Sequence, residues 1–358
     1  MNIQFNTAAV NENVIYFSAK NFNGLFKWDL NSGAIELIDQ FPHDHLWTEH
    51  MHQFSIVNAN NVYFVPYMAS SFTKFDMVSH ELTTVREMEN TVKWGISHVL
   101  RYGGRYILVP RELKNPISVF CPEDETFELI DLNIVCNEET VDYYSDIFCA
   151  TIVDDILFVP IFNTNKIIKI DLRLKYKSEI LLNQIKISSV QFYNNRFWIV
   201  TADGSLVCRY NSNFELEKEY YFSGSSIRPY ESWLQYKDKL YLCGCLDTSL
   251  IMYDNKNDLW AEVFNENEKD KVNDEWAFIC GTQEANDKLY LFPSSTCNMY
   301  VMNNGEISKY RVEYDNDDLQ RTVLRKKNDY YFGDCRDQIQ YEGEHVGLSD
   351  LIDYLKTT

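Results

Sequence analysis

The sequence predicts an all-β chain of repeated four-stranded antiparallel units, and three observations carry that expectation. One short apolar segment recurs eight times at near-constant spacing. Turn-forming residues bound each copy. The 358 residues include 24 Tyr and 22 Phe against 13 Gly and 8 Pro, a balance that favours strands over long helices or disorder.

The recurring segments are NVIYFSA from Asn13, NVYFVPY from Asn61, RYILVPR from Arg105, DILFVPI from Asp155, RFWIVTA from Arg196, KLYLCGC from Lys239, KLYLFPS from Lys288 and DYYFGDC from Asp329. Successive copies lie 41 to 50 residues apart, in the range of four-stranded blade repeats. Upstream of each sits another short strand pattern, such as FSIVNAN, HVLRYGG or SVQFYNN, ending in a two-residue turn of the Asn-Asn, Gly-Gly or Asn-Asp kind. Downstream, a third strand closes on an aromatic or aliphatic residue followed by Asp or Asn: Trp28-Asp29, Phe75-Asp76, Ile170-Asp171, Tyr210-Asn211 and Tyr253-Asp254. A fourth strand follows, as in GAIELI, ELTTVR, TFELID and LWAEVF. Each unit is an antiparallel meander.

One meander leaves both faces bare, so copies must stack, and a ring of them buries every face. The expectation is a single domain over 1–358 with eight blades, the alternative being seven blades and an appended unit. The eighth unit should supply three strands, RTVLRKK, DYYFGDC and DQIQYEG. A short helix follows at about 348–356, where Leu348, Leu351, Ile352 and Leu355 share one face. Pro66, Pro110, Pro160 and Pro293 should end second strands, because proline lacks an N–H and stops the ladder. The loops they launch share one mouth of the ring with the linkers between blades, the default binding surface.

In repeat period and strand pattern the sequence resembles the β-propeller superfamily over nearly its whole length. It is closer to the irregular bacterial propellers than to families with a signature. No Gly-His…Trp-Asp combination of the WD40 kind occurs, and a kelch-type double glycine occurs once, at Gly103-Gly104. The resemblance implies a binding protein, a lyase or a hydrolase without choosing among them.

A formal charge of −20 argues against nucleic acid and anionic membranes as partners. Neutral or cationic small molecules, carbohydrates, peptides and proteins stay compatible. The N-terminal stretch has no basic region followed by an apolar run, and nothing in the chain approaches the roughly 18 apolar residues of a membrane span. Nine scattered cysteines, mostly in apolar runs, point to reduced, buried thiols and a cytoplasmic protein.

Candidate site residues cluster in the linkers and mouth loops. The stretch FPHDHLWTEHMHQ holds His43, His45, His50 and His52. With Asp44 or Glu49 they are the candidate ligands for a divalent metal, although neither pair has zinc spacing, and no cofactor is expected. His50 and His52 are also the candidate catalytic bases. The binding set is Lys93, Trp94, Arg111, Glu112, Tyr144, Asp146, Arg228, Tyr230, Glu231, Trp276 and Arg336, with His98, Tyr143, Asp203, Trp233, Asp247, Asp274 and Glu275 beside them. More than half of Trp94, Trp233 and Trp276 should simply pack between blades. Cys243-Gly-Cys245 is a lone Cys-x-Cys, better read as buried thiols than as a redox or metal pair. No Gly-x-Ser-x-Gly, phosphate-binding glycine loop or calcium loop occurs. The leading expectation is therefore a recognition module for a peptide, carbohydrate or small molecule at the loop-bearing face. The alternative is a lyase or hydrolase with a histidine base, with or without a metal, in which Arg228 or Arg111 steadies an anionic intermediate.

Overall fold

The computed structural model describes residues 3–88, 95–131, 147–183, 185–222, 230–244, 250–264, 279–293, 297–314, 316, 319, 321–323, 325 and 326; for 230, 231, 244 and 279–284 only the backbone is described. Seven four-stranded antiparallel sheets, each made of consecutive strands, form the unit that ends at Tyr314. The blades span residues 5–39, 52–87, 96–130, 151–181, 187–221, 230–264 and 279–311. Second strands fall on the recurring segments: Val14–Ala19, Asn61–Pro66, Arg105–Pro110, Ile156–Pro160, Arg196–Thr201, Lys239–Gly244 and Lys288–Pro293. All four prolines end their strands as expected.

First strands of neighbouring blades touch, which sets them nearest the axis, while fourth strands such as Ile35–Asp39 and Leu82–Glu87 are largely open to solvent. The hairpin between first and second strands turns through left-handed residue pairs, Gly103-Gly104, Asn194-Asn195, Lys237-Asp238 and Asn286-Asp287. That primed geometry matches the right-handed twist of the strands, and Gly, Asn and Asp tolerate it best. The Asp after the third strand has an equally local cause. Asp29 accepts the N–H groups of Asn31 and Ser32 at 2.8 and 3.1 Å, and Asp76 those of Val78 and Ser79 at 2.7 and 3.0 Å. These backbone donors hold both carboxyls below the usual carboxylate range. Asp171, Asn211 and Asp254 cap their turns in the same way.

The core lies between blades. Tyr63, Phe72, Phe120 and Phe127 interlock blades 2 and 3, with ring centroids 4.8–5.2 Å apart in the Phe72–Phe120, Tyr63–Phe120 and Phe72–Phe127 pairs. Polar staples run from one blade to the next. Tyr102 donates to Asp155 at 2.6 Å, Tyr193 to the carbonyl of Asp238 at 2.5 Å, and Tyr236 to the carbonyl of Asp287. Each of these tyrosines ends a first strand, and each acceptor sits in the first turn of the following blade.

A larger staple joins blades 5 and 6. Asp258 receives hydrogen bonds from Arg209 and Lys218, both at 2.7 Å, from Tyr220 at 2.6 Å, and from Tyr253. Lys218 and the two tyrosines, led by Lys218, hold the carboxyl of Asp258 well below the ordinary range. Removing it leaves Arg209, whose side chain is 17% exposed, with Glu217 at 3.1 Å in place of two carboxylates, and takes the shared acceptor from Lys218, Tyr220 and Tyr253. Asp258→Ala is therefore expected to destabilise the fold by about 2 kcal/mol, a figure already reduced because Asp258 itself is 40% exposed. Urea unfolding of the variant checks this; a loss below about 0.5 kcal/mol would mean the staple is ornamental.

Among the described residues seven blades are found, which fits the alternative expectation and not the eight blades first expected. Blade 7 packs directly on blade 1: the rings of Phe5 and Phe292 lie 5.3 Å apart, those of Trp28 and Tyr310 6.4 Å, and Asn286 donates to the carbonyl of Glu12 at 3.2 Å. Those contacts occupy the faces between which an eighth blade would stand. Residues 315–358 belong to a second compact unit. RTVLRKK, expected as a strand, is helical at positions 321–323, 325 and 326. Asn316 explains the difference, because its Oδ1 accepts the N–H of Leu319 at 2.9 Å and caps a helix start ahead of the basic run. DYYFGDC, DQIQYEG and the helix expected at about 348–356 lie outside the described residues. No helix among the described residues is long and apolar enough to cross a membrane.

Six first strands carry a bulge at the end where the linker enters. The extra residues are Asn6, Gln53, Ser97, Ser188, Glu231 and Cys280. In blades 2, 3 and 7 the partner at the bulge is the strand-ending Pro66, Pro110 or Pro293, whose missing N–H interrupts the ladder there.

Candidate functional site

The loop-bearing face is assembled by a repeated backbone stitch. The residue that follows a second strand donates its N–H to a carbonyl just ahead of the first strand: Lys20 to Gln4 at 2.9 Å, Tyr67 to Met51 at 2.7 Å, Arg111 to Gly95 at 2.6 Å and Ala202 to Lys186 at 2.9 Å. Side chains at that position therefore stand at one level in successive blades. Tyr67 and Arg111 are neighbours for this reason. The Arg111 guanidinium lies 5.1 Å from the Tyr67 ring centroid, and its Nη1 donates to the Tyr67 hydroxyl at 2.8 Å. Gly95 lets the arginine stem pass, since a Cβ there would lie 3.0 Å from Cδ and 3.3 Å from Cγ of Arg111. Glu112, the next candidate in the chain, pairs with Lys114 at 2.6 Å.

The histidine-rich linker between blades 1 and 2 is fixed by two side chains. Buried Asn23 donates to the carbonyls of Phe41 and Asp44 at 2.9 and 3.1 Å and accepts the Phe41 N–H at 2.8 Å. Asp44 accepts from the N–H and hydroxyl of Ser70 at 2.9 and 2.7 Å. The four histidines go separate ways. His43 meets Thr84 at 3.2 Å and Glu87 at 3.9 Å on the surface. His45 stacks on Trp47, with centroids 4.5 Å apart and planes 5° from parallel. His50 donates its backbone N–H to the Lys20 carbonyl at 2.7 Å. His52 is fully buried, 4.2 Å from the Phe41 ring, with Nδ1 3.0 Å from the Ser18 hydroxyl. Among the described residues no three His, Cys, Asp or Glu side chains are grouped as metal ligands.

Burial pushes the His52 imidazole down to about 3, which leaves it neutral and enclosed rather than placed to take a substrate proton. A second histidine, His98 on the first strand of blade 3, meets Cys149 at the entry to blade 4. The sulfur lies 3.8 Å from Nδ1 and 3.7 Å from Nε2. Such equal distances put it over the ring, out of line with either nitrogen lone pair. Burial raises the Cys149 thiol to about 12 and lowers His98 to about 4, so both stay neutral and the pair is not an activated nucleophile.

Other candidates are accounted for locally. Asp203 accepts from Thr201 at 2.6 Å and from the N–H and hydroxyl of Ser205 at 3.1 and 2.8 Å, so its carboxylate organises its own loop. Trp233 is buried between blades and donates to the Ser189 hydroxyl at 2.9 Å, the packing role expected for it. Cys243 is buried. Tyr230 and Glu231 lie on the first strand of blade 6, and their side chains are not described. Lys93, Trp94, Tyr143, Tyr144, Asp146, Arg228, Cys245, Asp247, Asp274, Glu275, Trp276 and Arg336 lie outside the described residues. Tyr67 and Trp47 were not singled out from sequence. Tyr67 had a signal, because it follows Pro66 as Arg111 follows Pro110.

Sheet order, blade number and loop placement together define a β-propeller. Solved propellers match it in shape. A 6-phosphogluconolactonase-like protein of Bacteroides uniformis aligns with a TM-score of 0.56 and 13% identity, over 84% of this chain and 92% of the other. Hsv2 of Kluyveromyces marxianus aligns at 0.51 and 12%, over 87% and 98%. Hsv2 of Kluyveromyces lactis aligns at 0.50 and 11%, over 88% and 95%. At such identities the likeness concerns the fold alone. No protein-family model and no curated protein matches the sequence.

Proposed function

We propose that the chain is a recognition propeller that holds a carbohydrate, peptide or other compact ligand on its loop-bearing face, over blades 1 to 3. The observation that supports this is a pair of aromatic contacts there, His45 stacked flat on Trp47 and the Arg111 guanidinium over the Tyr67 ring, both on backbone held by hydrogen bonds. Preformed planar surfaces bearing fixed polar groups suit ring-shaped ligands. The five cysteines whose side chains are described are free thiols, four of them buried, and a reducing cytoplasmic setting belongs to the same proposal.

Arg111→Ala and Trp47→Ala are each expected to weaken binding about tenfold, and Gly95→Ala less, by displacing the arginine stem. Calorimetric titration with neutral sugars and short peptides tests this. Unchanged affinity in both alanine variants removes the face from consideration.

An enzymatic reading takes its support from the lactonase-like neighbour. His50, at the level of Lys20 on the linker, is then the base to test, since His52 is enclosed. Hydrolysis of a sugar lactone that is lost in His50→Gln would favour the enzyme; absence of turnover with retained binding would favour recognition.

A further inference from the structure

We propose that Asn6 and Gln53 form a polar subsite at the linker-bearing mouth of the axis, between blades 1 and 2, that takes hydroxyls of a neutral sugar. The proposal rests on the recognition reading above and narrows its ligand class.

Each residue is the extra member of the bulge in its first strand, Phe5–Asn11 or His52–Asn58. The two strands lie side by side. The Thr7 hydroxyl is 3.4 Å from that of Ser55, which in turn donates to the Ala8 carbonyl at 2.7 Å. Toward the mouth from that contact, Asn6 is one residue from Thr7 and Gln53 is two residues from Ser55, beyond Phe54.

Asn6 Nδ2 and Gln53 Oε1 are buried and have no hydrogen-bond partner among the described residues, and Asn6 as a whole is only 8% exposed. Buried polar atoms without partners cost stability, so each calls for a reason. The same bulge elsewhere in the ring shows that this cost is avoidable. Ser97 in blade 3 donates to the carbonyls of Val109 and Pro110, both at 3.2 Å, and Ser188 in blade 5 to that of Val200 at 3.5 Å. A serine satisfies itself at this position. Blades 1 and 2 carry carboxamides instead.

Chemistry then selects the ligand. The two atoms offer one donor and one acceptor with no charge. A hydroxyl both accepts and donates, so adjacent hydroxyls on a sugar ring complete both bonds, whereas an ion would meet no opposite charge at either carboxamide. Gln53 is half-buried as a residue, so turning its side chain presents the carboxamide to an entering group. The His45–Trp47 stack on the linker between the same two blades supplies a flat apolar surface for the sugar ring.

The test compares wild type with Asn6→Leu and Gln53→Met, singly and together. Melting is followed without ligand, and affinity for neutral mono- and disaccharides is measured by calorimetry. Each substitution should raise Tm by about 1–2 °C, since a partnerless polar group is replaced by an apolar one. Sugar affinity should fall at least tenfold. A lowered Tm, showing that the carboxamides have structural partners, or unchanged sugar binding, showing that they meet only water, overturns the subsite. Asn6→Ser and Gln53→Ser, copying blades 3 and 5, guard against misfolding: they should fold and lose sugar binding. A wild type that binds peptides but no sugar overturns the subsite and leaves the face standing. A wild type that binds neither overturns both.

Discussion

Replacing Phe5 by Ala is expected to lower the free energy of unfolding by about 3–5 kcal/mol and to loosen blades 1 and 7 before any other pair. Phe5 is wholly buried, with its ring 4.9 Å from Phe17 in its own blade and 5.3 Å from Phe292 in blade 7. No strand is shared across that junction, because blade 1 and blade 7 are each complete in themselves. Side-chain packing therefore carries the closure, together with the hydrogen bond from Asn286 to the Glu12 carbonyl. Urea unfolding measures the loss, and hydrogen exchange shows where it falls. A drop under about 1 kcal/mol, or faster exchange spread evenly round the ring, contradicts this account.

Acidification from pH 6.5 to 4.5 is expected to remove about 2–3 kcal/mol of stability through His52 alone. The folded value near 3 lies below the ordinary histidine value of 6.5, and burial against Phe41 and Phe64 is the cause. Below pH 6.5 the unfolded chain takes up a proton that the folded chain refuses, so stability falls as pH falls, until the folded value is reached. His98, lowered to about 4, acts in the same direction, and its partial exposure makes its share smaller. His52→Leu should be less stable than wild type at pH 7, where the Ser18 hydroxyl loses its 3.0 Å partner. At pH 4.5 that gap should close or reverse. Parallel curves for the two proteins would show that His52 is protonated when folded.

Much of the fold was legible because its causes are local. The second strands stand where the apolar segments recur, and the Asp that closes third strands works within three residues of itself. Blade number was not legible in this way. RTVLRKK has a strand-like Thr-Val-Leu core, and the helical state of its described residues follows the Asn316 cap. The site divides likewise. Arg111 was found because it follows a strand-ending proline, but its stack on Tyr67 depends on two blades standing at one level. The buried state of His52 required knowing that Phe41 folds back under Asn23. The bulges at Asn6 and Gln53 exist only in the pairing register, which no composition or spacing reveals.

A wheel of self-contained blades has a consequence for the chain as it is made. Blade 1 is translated before the other six, yet the partner for its Phe5 face is almost the last part of the wheel to follow. Through most of synthesis that aromatic surface has no native cover, and the long-range contact that finally covers it is of the slow-forming kind. Stalled or truncated chains lacking residues 279–311 would emerge with this sticky flank exposed, making them natural clients for chaperones.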